Sequence, residues 1–306
     1  MDHANKLVTL GPVGDTDLRL LRIYKSVVDA GGFSAAQVDL NISRSAISMA
    51  ISDLETRLAL RLCQRGRAGF TVTEDGQQVY DAVIQLLAAV EGFRTNINTL
   101  HAQLQGELNI GITDNLVTLP HMRITDALRQ LKQKGPNIRV NISMMPPSNI
   151  EKALLDGRLH AGAVPTLRYL ADLEYLPLYQ EQSQLYCSNQ HPLFNMPSQQ
   201  AAQLVTEYDA IAPSYPQSAI VRTHYQSLRT TATATDREGV AFLILTGCYI
   251  GYLPTHFADQ WLHQGYMQAI APKQFHYKTD YAAITRKIAP PNLLLKTWLE
   301  ALEPAT

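Results

Sequence analysis

Nine histidines and three cysteines are the residues suited to metal or nucleophilic chemistry, and their spacing supports neither. His256 and His263 stand seven apart, too far for an i,i+4 ligand pair on one helix face. Cys63, Cys187 and Cys248 are odd in number and scattered, which suits neither a disulfide framework nor a metal cage. Each reads as a small buried hydrophobe. No His-Glu-x-x-His, Gly-x-Ser-x-Gly, Gly-x-Gly-x-x-Gly or phosphate loop occurs. The expectation is therefore no enzyme, no cofactor and no metal. Chemistry of another kind is concentrated between residues 34 and 67. Ser43, Arg44, Ser45 and Ser48 crowd the start of one segment, with Ser34 before them and Arg65 and Arg67 after. Arginine can pair bidentately with guanine, and serine can bond phosphate or base edges. Residues 43–73 hold five arginines against two acids, although the whole chain carries a net charge of −1. A local basic excess of that kind is the footprint of a polyanion-binding surface.

Three short helices and a hairpin must position these groups. Leu18, Leu21, Val27 and Val28 line a first helix that Gly31-Gly32 stops. Ser34 is expected to cap the second helix, with Gln37 completing a capping box and Phe33 stapled to Val38. Ser43 caps the third. Ile47, Ile51, Leu54 and Leu58, spaced 4, 3 and 4, put one apolar face inward. Arg44, Ser45, Ser48, Met49 and Ser52 lie opposite, small enough for the helix to enter a major groove about 12 Å wide. Leu62–Arg65 and Phe70–Thr73 pair around a glycine-bearing turn, with Arg65 and Arg67 at its tip, aimed at the DNA backbone or the flanking minor groove. The result is a winged helix-turn-helix over residues 17–73, preceded by an extension, 1–16. The competing picture is a helical bundle with a solvated serine face.

Thr73 to Gln105 reads as one long helix. Val79, Val83, Leu86, Val90, Phe93, Ile97, Leu100 and Leu104 alternate in steps of 4 and 3, a heptad seam. At about 1.5 Å per residue it spans roughly 38 Å, and its expected partner is a second copy of itself. From Gly106 the pattern becomes strand, helix, strand, helix, strand through Leu108–Ile112, Ile124–Leu131, Ile138–Met144, Asn149–Leu155 and Leu159–Val164, the grammar of a parallel sheet. A second unit runs through Leu173–Leu178, Gln184–Cys187, Ala210–Ala212, Ser227–Ala232, Glu238–Thr246 and Tyr249–Leu253. The chain then returns through Thr279–Thr285 and a last helix, Asn292–Leu302.

The order of these residues resembles the LysR-type transcriptional regulators over nearly the whole chain. Gly32–Ala36, Ile42–Ser48, Ile51–Glu55, Leu60–Arg65 and Val72–Gly76 resemble the family's DNA-binding signature. Gly106–Gly111 resembles the opening of its effector domain, and Gly247–Pro254 its second-subdomain motif. Arg44 stands where the family more often has Gln, Met49 where Arg is frequent, and His160 where Asp is usual; the last position is read as structural. The resemblance implies a multidomain chain: a mainly α winged helix-turn-helix, a linker dimerisation helix at 74–105, and a periplasmic-binding-protein-like α/β effector domain at 106–306. Subdomain I would be 106–164 with 271–306, and subdomain II 165–270, joined by crossovers near Val164–Thr166 and Gln268–Ala271. It further implies a homotetramer on promoter DNA, with RNA polymerase as a further partner.

In open α/β sheets, ligands sit beyond the carboxyl ends of strands, near helix N-termini. Thr113, Asp114 and Asn115 follow the first strand, and Ser148 follows the second as a helix cap. Thr166 at the first crossover, Ser214 and Tyr215 after a later strand, and Thr235 before a helix complete the expected small-molecule effector site. Simple helix capping is the competing role for Thr113 and Ser148. Asp114 would repel a bare anion, so a cation or a hydroxyl-rich effector is favoured. Hydrophobic residues make up 46% and charged residues 17%, an ordinary globular composition, and no apolar run reaches a membrane span of roughly 20 residues. The N-terminus lacks a secretory signal pattern, so a cytoplasmic location is expected. The alternative function is a small-molecule sensor whose N-terminal module only dimerises.

Overall fold

The structure is a computed structural model and describes residues 11–66, 69–100, 104–121, 123–289 and 292–303. The chain divides into two compact units, Met1–Phe93 with Asp156–Arg158, and Arg94–Leu155 with Leu159–Thr306.

The first unit begins with helices α1 (Asp15–Asp29), α2 (Phe33–Leu40) and α3 (Arg44–Leu58). Gly31 and Gly32 adopt φ of 70° and 151° between α1 and α2, a backbone that a side chain would strain. Tyr24 and Val27 of α1, Phe33 and Ala36 of α2, and Ile47, Ile51 and Leu54 of α3 are buried in one core. Strands β1 (Cys63–Gly66) and β2 (Gly69–Val72) pair antiparallel as the wing, and Phe70 meets Phe33 edge to face at 5.6 Å. Thr73 starts helix α4 (Glu74–Leu100) by accepting the Gly76 N–H at 2.9 Å. Gly76 is fixed from the other side: the Tyr24 hydroxyl donates to its carbonyl at 2.8 Å, and a Cβ there would lie 2.1 Å from the Leu62 oxygen.

Three expectations change here. Gly32, not Ser34, is the N-cap of α2; Ser34 lies inside the helix, and no side-chain cap bond forms. Phe33 turns into the core instead of onto Val38, which is 84% exposed. The heptad seam of α4 also divides in two. Val79, Val83 and Leu86 pack on the core of their own unit, whereas Phe93 and Ile97 are exposed. The first turns of the stripe thus have an intramolecular partner, and Leu104, beyond the end of α4, packs on the core of the second unit. The side chain of Leu100 lies outside the described residues.

The second unit opens with β3 (Gly106–Ile112), α5 (Arg123–Lys134), β4 (Ile138–Met144), α6 (Pro147–Leu155) and β5 (Ala161–Pro165). β3 pairs parallel with both β4 and β5, as right-handed β-α-β crossovers require. Next come β6 (Leu173–Ser188), α7 (Ser198–Leu204), β7 (Asp209–Pro213), α8 (Ala219–Gln226), β8 (Arg229–Ala234) and α9 (Arg237–Leu245). β9 (Gly251–Pro254), α10 (Thr255–His263), β10 (Met267–Ala269), β11 (His276–Arg286) and α11 (Leu293–Leu302) complete the unit. Seven strands form one sheet in the order β10-β6-β11-β5-β3-β4, with β9 also on β6, while β7 and β8 pair apart. The sequence pattern broke β6 at Tyr179–Ser183, where the apolar alternation lapses. The structure joins those pieces into one strand that runs antiparallel to β11 along its length. One half of the unit packs around Leu108, Ile110, Leu131 and Trp298, the other around Leu185, Leu193, Ile250 and Tyr252. Trp298 of α11 therefore returns the chain's end to the first half. Cys63 and Cys187 are buried as expected, but Cys248 is exposed.

Candidate nucleic-acid interface and ligand cleft

The apolar periodicity of α3 decides which way its polar face points. Ile47 and Ile51 are fully buried, so Arg44, Ser45, Met49 and Ser52 are exposed and Ser48 lies half-buried between the two faces. Ser43 caps the helix as expected, accepting the Ala46 N–H at 3.2 Å, and its hydroxyl lies 2.9 Å from that of Ser45. Ser34 and Ala35 of α2, Arg44 and Ser48 of α3, and Gly69 and Phe70 of the wing line one hollow of about 420 Å³. Four of the expected DNA-binding residues thus share a surface: Ser34, Arg44 and Ser48 in the hollow and Ser45 one residue along. The backbone of Arg65 lies on β1 opposite Phe70. Its side chain, and all of Arg67, lie outside the described residues.

Two other charges of this segment have structural duties. Arg57 donates to the Asp17 carboxylate at 2.7 Å and to the Pro12 carbonyl at 3.0 Å. Glu55 accepts the N–H groups of Leu62 and Cys63 at 2.8 and 3.1 Å, which fixes the approach to the wing. Among the described side chains of this segment, Arg44 and Arg61 are exposed and free for a polyanion, whereas Arg57 is engaged.

In the second unit, a cavity of about 400 Å³ opens beyond the carboxyl ends of β3 and β4. Thr113, Asp114, Asn115, Tyr215 and Thr235 line it, as expected from strand ends. Thr113 is buried and its N–H reaches the Ala163 carbonyl at 3.2 Å, so it is no helix cap. Ser148, Thr166 and Ser214 are not in the lining. Ser148 is exposed in the first turn of α6, because that helix already starts at Pro147, a favoured first position. Thr166 is held by its N–H on the Asp280 carbonyl at 2.7 Å, and Ser214 is exposed with its N–H on the Ala234 carbonyl at 2.8 Å.

Sequence reading missed the charged floor of this cavity. Arg237, the first residue of α9, sends Nη1 to Asp114 Oδ1 at 2.6 Å and Nη2 to Glu181 Oε1 at 3.0 Å. Nη2 also reaches the Tyr281 hydroxyl, and the Arg237 N–H gives Asp114 Oδ2 a further bond at 2.7 Å. Glu181, 2% exposed, is shared with His256 Nε2 at 3.0 Å, and His256 Nδ1 lies 2.6 Å from the Thr118 hydroxyl. Asp114 and Thr118 follow β3, while Arg237 and His256 belong to α9 and α10; Glu181 and Tyr281 come from the two long strands between them. Burial alone would raise the Glu181 carboxyl, but Arg237 and the hydrogen-bonded His256 outweigh it and hold it below the usual carboxylate range. Burial pushes Tyr215 up to about 12, so its hydroxyl stays protonated. The signal for Arg237 lay two residues beyond the chosen Thr235, in the charged run Asp236-Arg237-Glu238 that follows a strand. His256, given no role by its spacing in the sequence, ties Glu181 to Thr118. His160 keeps its structural role, accepting the Asn109 N–H at 2.9 Å, and burial lowers its pKa.

Among the described residues, no group of three or more His, Cys, Asp or Glu is placed to hold a metal, and no helix is long and apolar enough to cross a membrane.

Comparison with known proteins finds relatives of both parts of the chain. Residues 18–77 match the model described as bacterial regulatory helix-turn-helix protein, lysR family, and residues 101–306 match the LysR substrate binding domain. The chain is 54% identical over 295 residues to the HTH-type transcriptional activator BauR of Pseudomonas aeruginosa, covering 96% of this chain and 97% of that one. The crystal structure of CbnR, a LysR family transcriptional regulator, superposes with a TM-score of 0.67 at 18% identity, covering 93% of this chain and 97% of that one. Full-length CbnR complexed with its target DNA gives 0.66 at the same identity, over 93% and 98%. At that identity the structural likeness speaks for the fold.

Proposed function

This chain belongs to the LysR family of bacterial regulators, and from that premise we propose how its residues carry out regulation. It is a DNA-binding transcriptional regulator with an effector-binding domain. We assign DNA contact to the start of α3, with Arg44, Ser45 and Ser48 against base edges and phosphates, Ser34 beside them, and Ser43 acting through its cap. Arg65 and Arg67 of the wing belong to the same set by their place in the chain. The observation that carries this is the burial of Ile47, Ile51 and Leu54, which turns Arg44 and Ser45 outward next to the wing. Thr113, Asp114, Asn115, Tyr215 and Thr235 are assigned to the effector cleft; Ser148, Thr166 and Ser214 are not supported as direct contacts.

The domain bounds we adopt are those of the sequence reading: 17–73, 74–105 and 106–306, the last divided at 164/165 and 270/271. The exposed turns of α4 around Phe93 and Ile97 pair two copies, and two such dimers make the tetramer. The protein works in the cytoplasm, without enzymatic activity or cofactor, and passes its signal to RNA polymerase. As for the 54% identical relative named an activator, activation is the proposed outcome. A ligand achieves this only by binding one conformer more tightly than the other. The test is salt-dependent duplex binding by the purified protein on promoter fragments enriched from genomic DNA. Affinity should fall steeply with salt. Duplex binding that is absent at low salt would leave the sensor alternative standing.

A further inference from the structure

The lining of the cleft carries information about what enters it. Its one guanidinium among the described residues, Arg237, is already engaged by Asp114, Glu181 and Tyr281. An anionic ligand would have to displace one of those internal partners. The α6 N-terminus, the place where an anion would otherwise be received, is poor in donors. Pro146 and Pro147 have no N–H. The N–H groups of Asn149 and Ile150 both serve the Pro146 carbonyl, at 3.0 and 3.2 Å, and that of Met145 serves the Ile112 carbonyl at 3.2 Å.

The opposite wall is negative. Asp236 caps α9, accepting the Gly239 N–H at 2.7 Å and the Thr235 hydroxyl at 3.0 Å. Glu238 lines the same wall, exposed and without a hydrogen-bond partner among the described residues. Tyr215, a half-buried residue of the lining, likewise has no hydrogen-bond partner for its hydroxyl among the described residues. Among the lining residues Asp114, Asp236 and Glu238 stand against one guanidinium, that of Arg237, so the lining carries excess negative charge. Met144 and Met145, apolar and adaptable in shape, also line the cavity.

We infer that the effector of this cleft presents a protonated amine to Glu238 and Asp236 at the start of α9, with the Tyr215 hydroxyl as a further acceptor and an aliphatic stem along Met144 and Met145. The inference rests on the reading of the cleft as the effector site. A protonated amine gives charge-assisted hydrogen bonds to a carboxylate that now has no partner, and it leaves the Arg237 network intact.

The test uses the full-length protein and three probes of similar size, n-butylamine, n-butanol and butyrate, in titrations followed by thermal shift and calorimetry. A ligand specific to the folded state raises the apparent melting temperature. Butylamine should do so, and butanol and butyrate should not. Glu238→Gln should weaken the amine by at least about tenfold, the scale of one charged hydrogen bond. Asp236→Asn, which keeps a competent helix cap, should weaken it too. Stabilisation by butyrate in place of the amine, by none of the three, or by an amine indifferent to both variants overturns the inference. Met145→Trp, which fills the cleft, separates this failure from that of the underlying reading. Butyrate binding abolished by Met145→Trp keeps the cleft as the effector site and refutes the amine alone. Amine binding that survives Met145→Trp refutes the cleft itself.

Discussion

Replacing Arg237 with Met should cost the second unit more than any other single change in the cleft. The guanidinium holds Asp114 at 2.6 Å and Glu181 at 3.0 Å, and Glu181 is only 2% exposed. Removing it leaves Glu181 with His256 and Tyr281 as its remaining side-chain partners. Breaking a buried pair from one side costs about 3–5 kcal/mol, because the surviving charge stays desolvated. For a unit of this size, about 2–4 °C of melting temperature is lost per kcal/mol. The expected fall is therefore roughly 6–20 °C, read on the full chain by calorimetry as the transition of the second unit. Glu181→Gln in the same background should return part of the loss, since the uncompensated charge is gone and the two changes couple. The pH dependence has a definite sign. Burial raises the Glu181 carboxyl, but Arg237 and His256 hold it below the usual range. The stability it contributes is present above the ordinary carboxylate pKa and is lost as pH falls through the lowered value. Without Arg237 that loss begins at a higher pH. A melting temperature within about 2 °C of the parent for Arg237→Met, or strictly additive losses in the double variant, would refute the network as a stabilising element.

Three further outcomes are expected. Arg44→Ala should weaken duplex binding by about 5- to 150-fold, from the roughly 1–3 kcal/mol of a base-directed arginine, in an anisotropy titration; an unchanged affinity removes Arg44 from the interface. Phe93→Asp places a charge on the exposed part of the α4 stripe and should shift sedimentation toward the monomer, whereas Leu86→Asp should unfold the head instead; an unchanged mass for Phe93→Asp contradicts pairing through these turns. Gly76→Ala must push a Cβ toward the Leu62 carbonyl and should lower the urea midpoint of the first unit by the equivalent of about 1–3 kcal/mol; no change would mean that the linker helix start is looser than its hydrogen bonds indicate.

The winged helix-turn-helix was legible because its signals are local: an apolar face at spacings 4, 3 and 4, a serine cap, and a glycine pair between helices. Ser34 failed as a cap because Gly31 and Gly32 already turn the chain through positive φ, so the helix begins one residue earlier. The α4 stripe was legible as a stripe but not in its partners. Periodicity shows which side is apolar and is silent on whether the neighbour belongs to the same chain. The cleft was legible where position alone decides, at Thr113, Asp114 and Asn115 beyond β3. Its ion network was not, because Asp114 and Arg237 are 123 residues apart and Glu181 falls in a polar lapse within β6. Charge complementarity across that separation leaves no local pattern.

The central claim is that the start of α3 lies against duplex DNA, and site-directed photocrosslinking tests it most directly. In a Cys248→Ser background, which removes the one exposed native thiol among the described residues, a crosslinker is attached through Ser45→Cys, and in a parallel sample through Lys296→Cys on α11. With target duplex bound, the Ser45 position should yield adducts to bases within the protected site and the Lys296 position none. Adducts absent at Ser45 while the duplex remains bound would contradict the account.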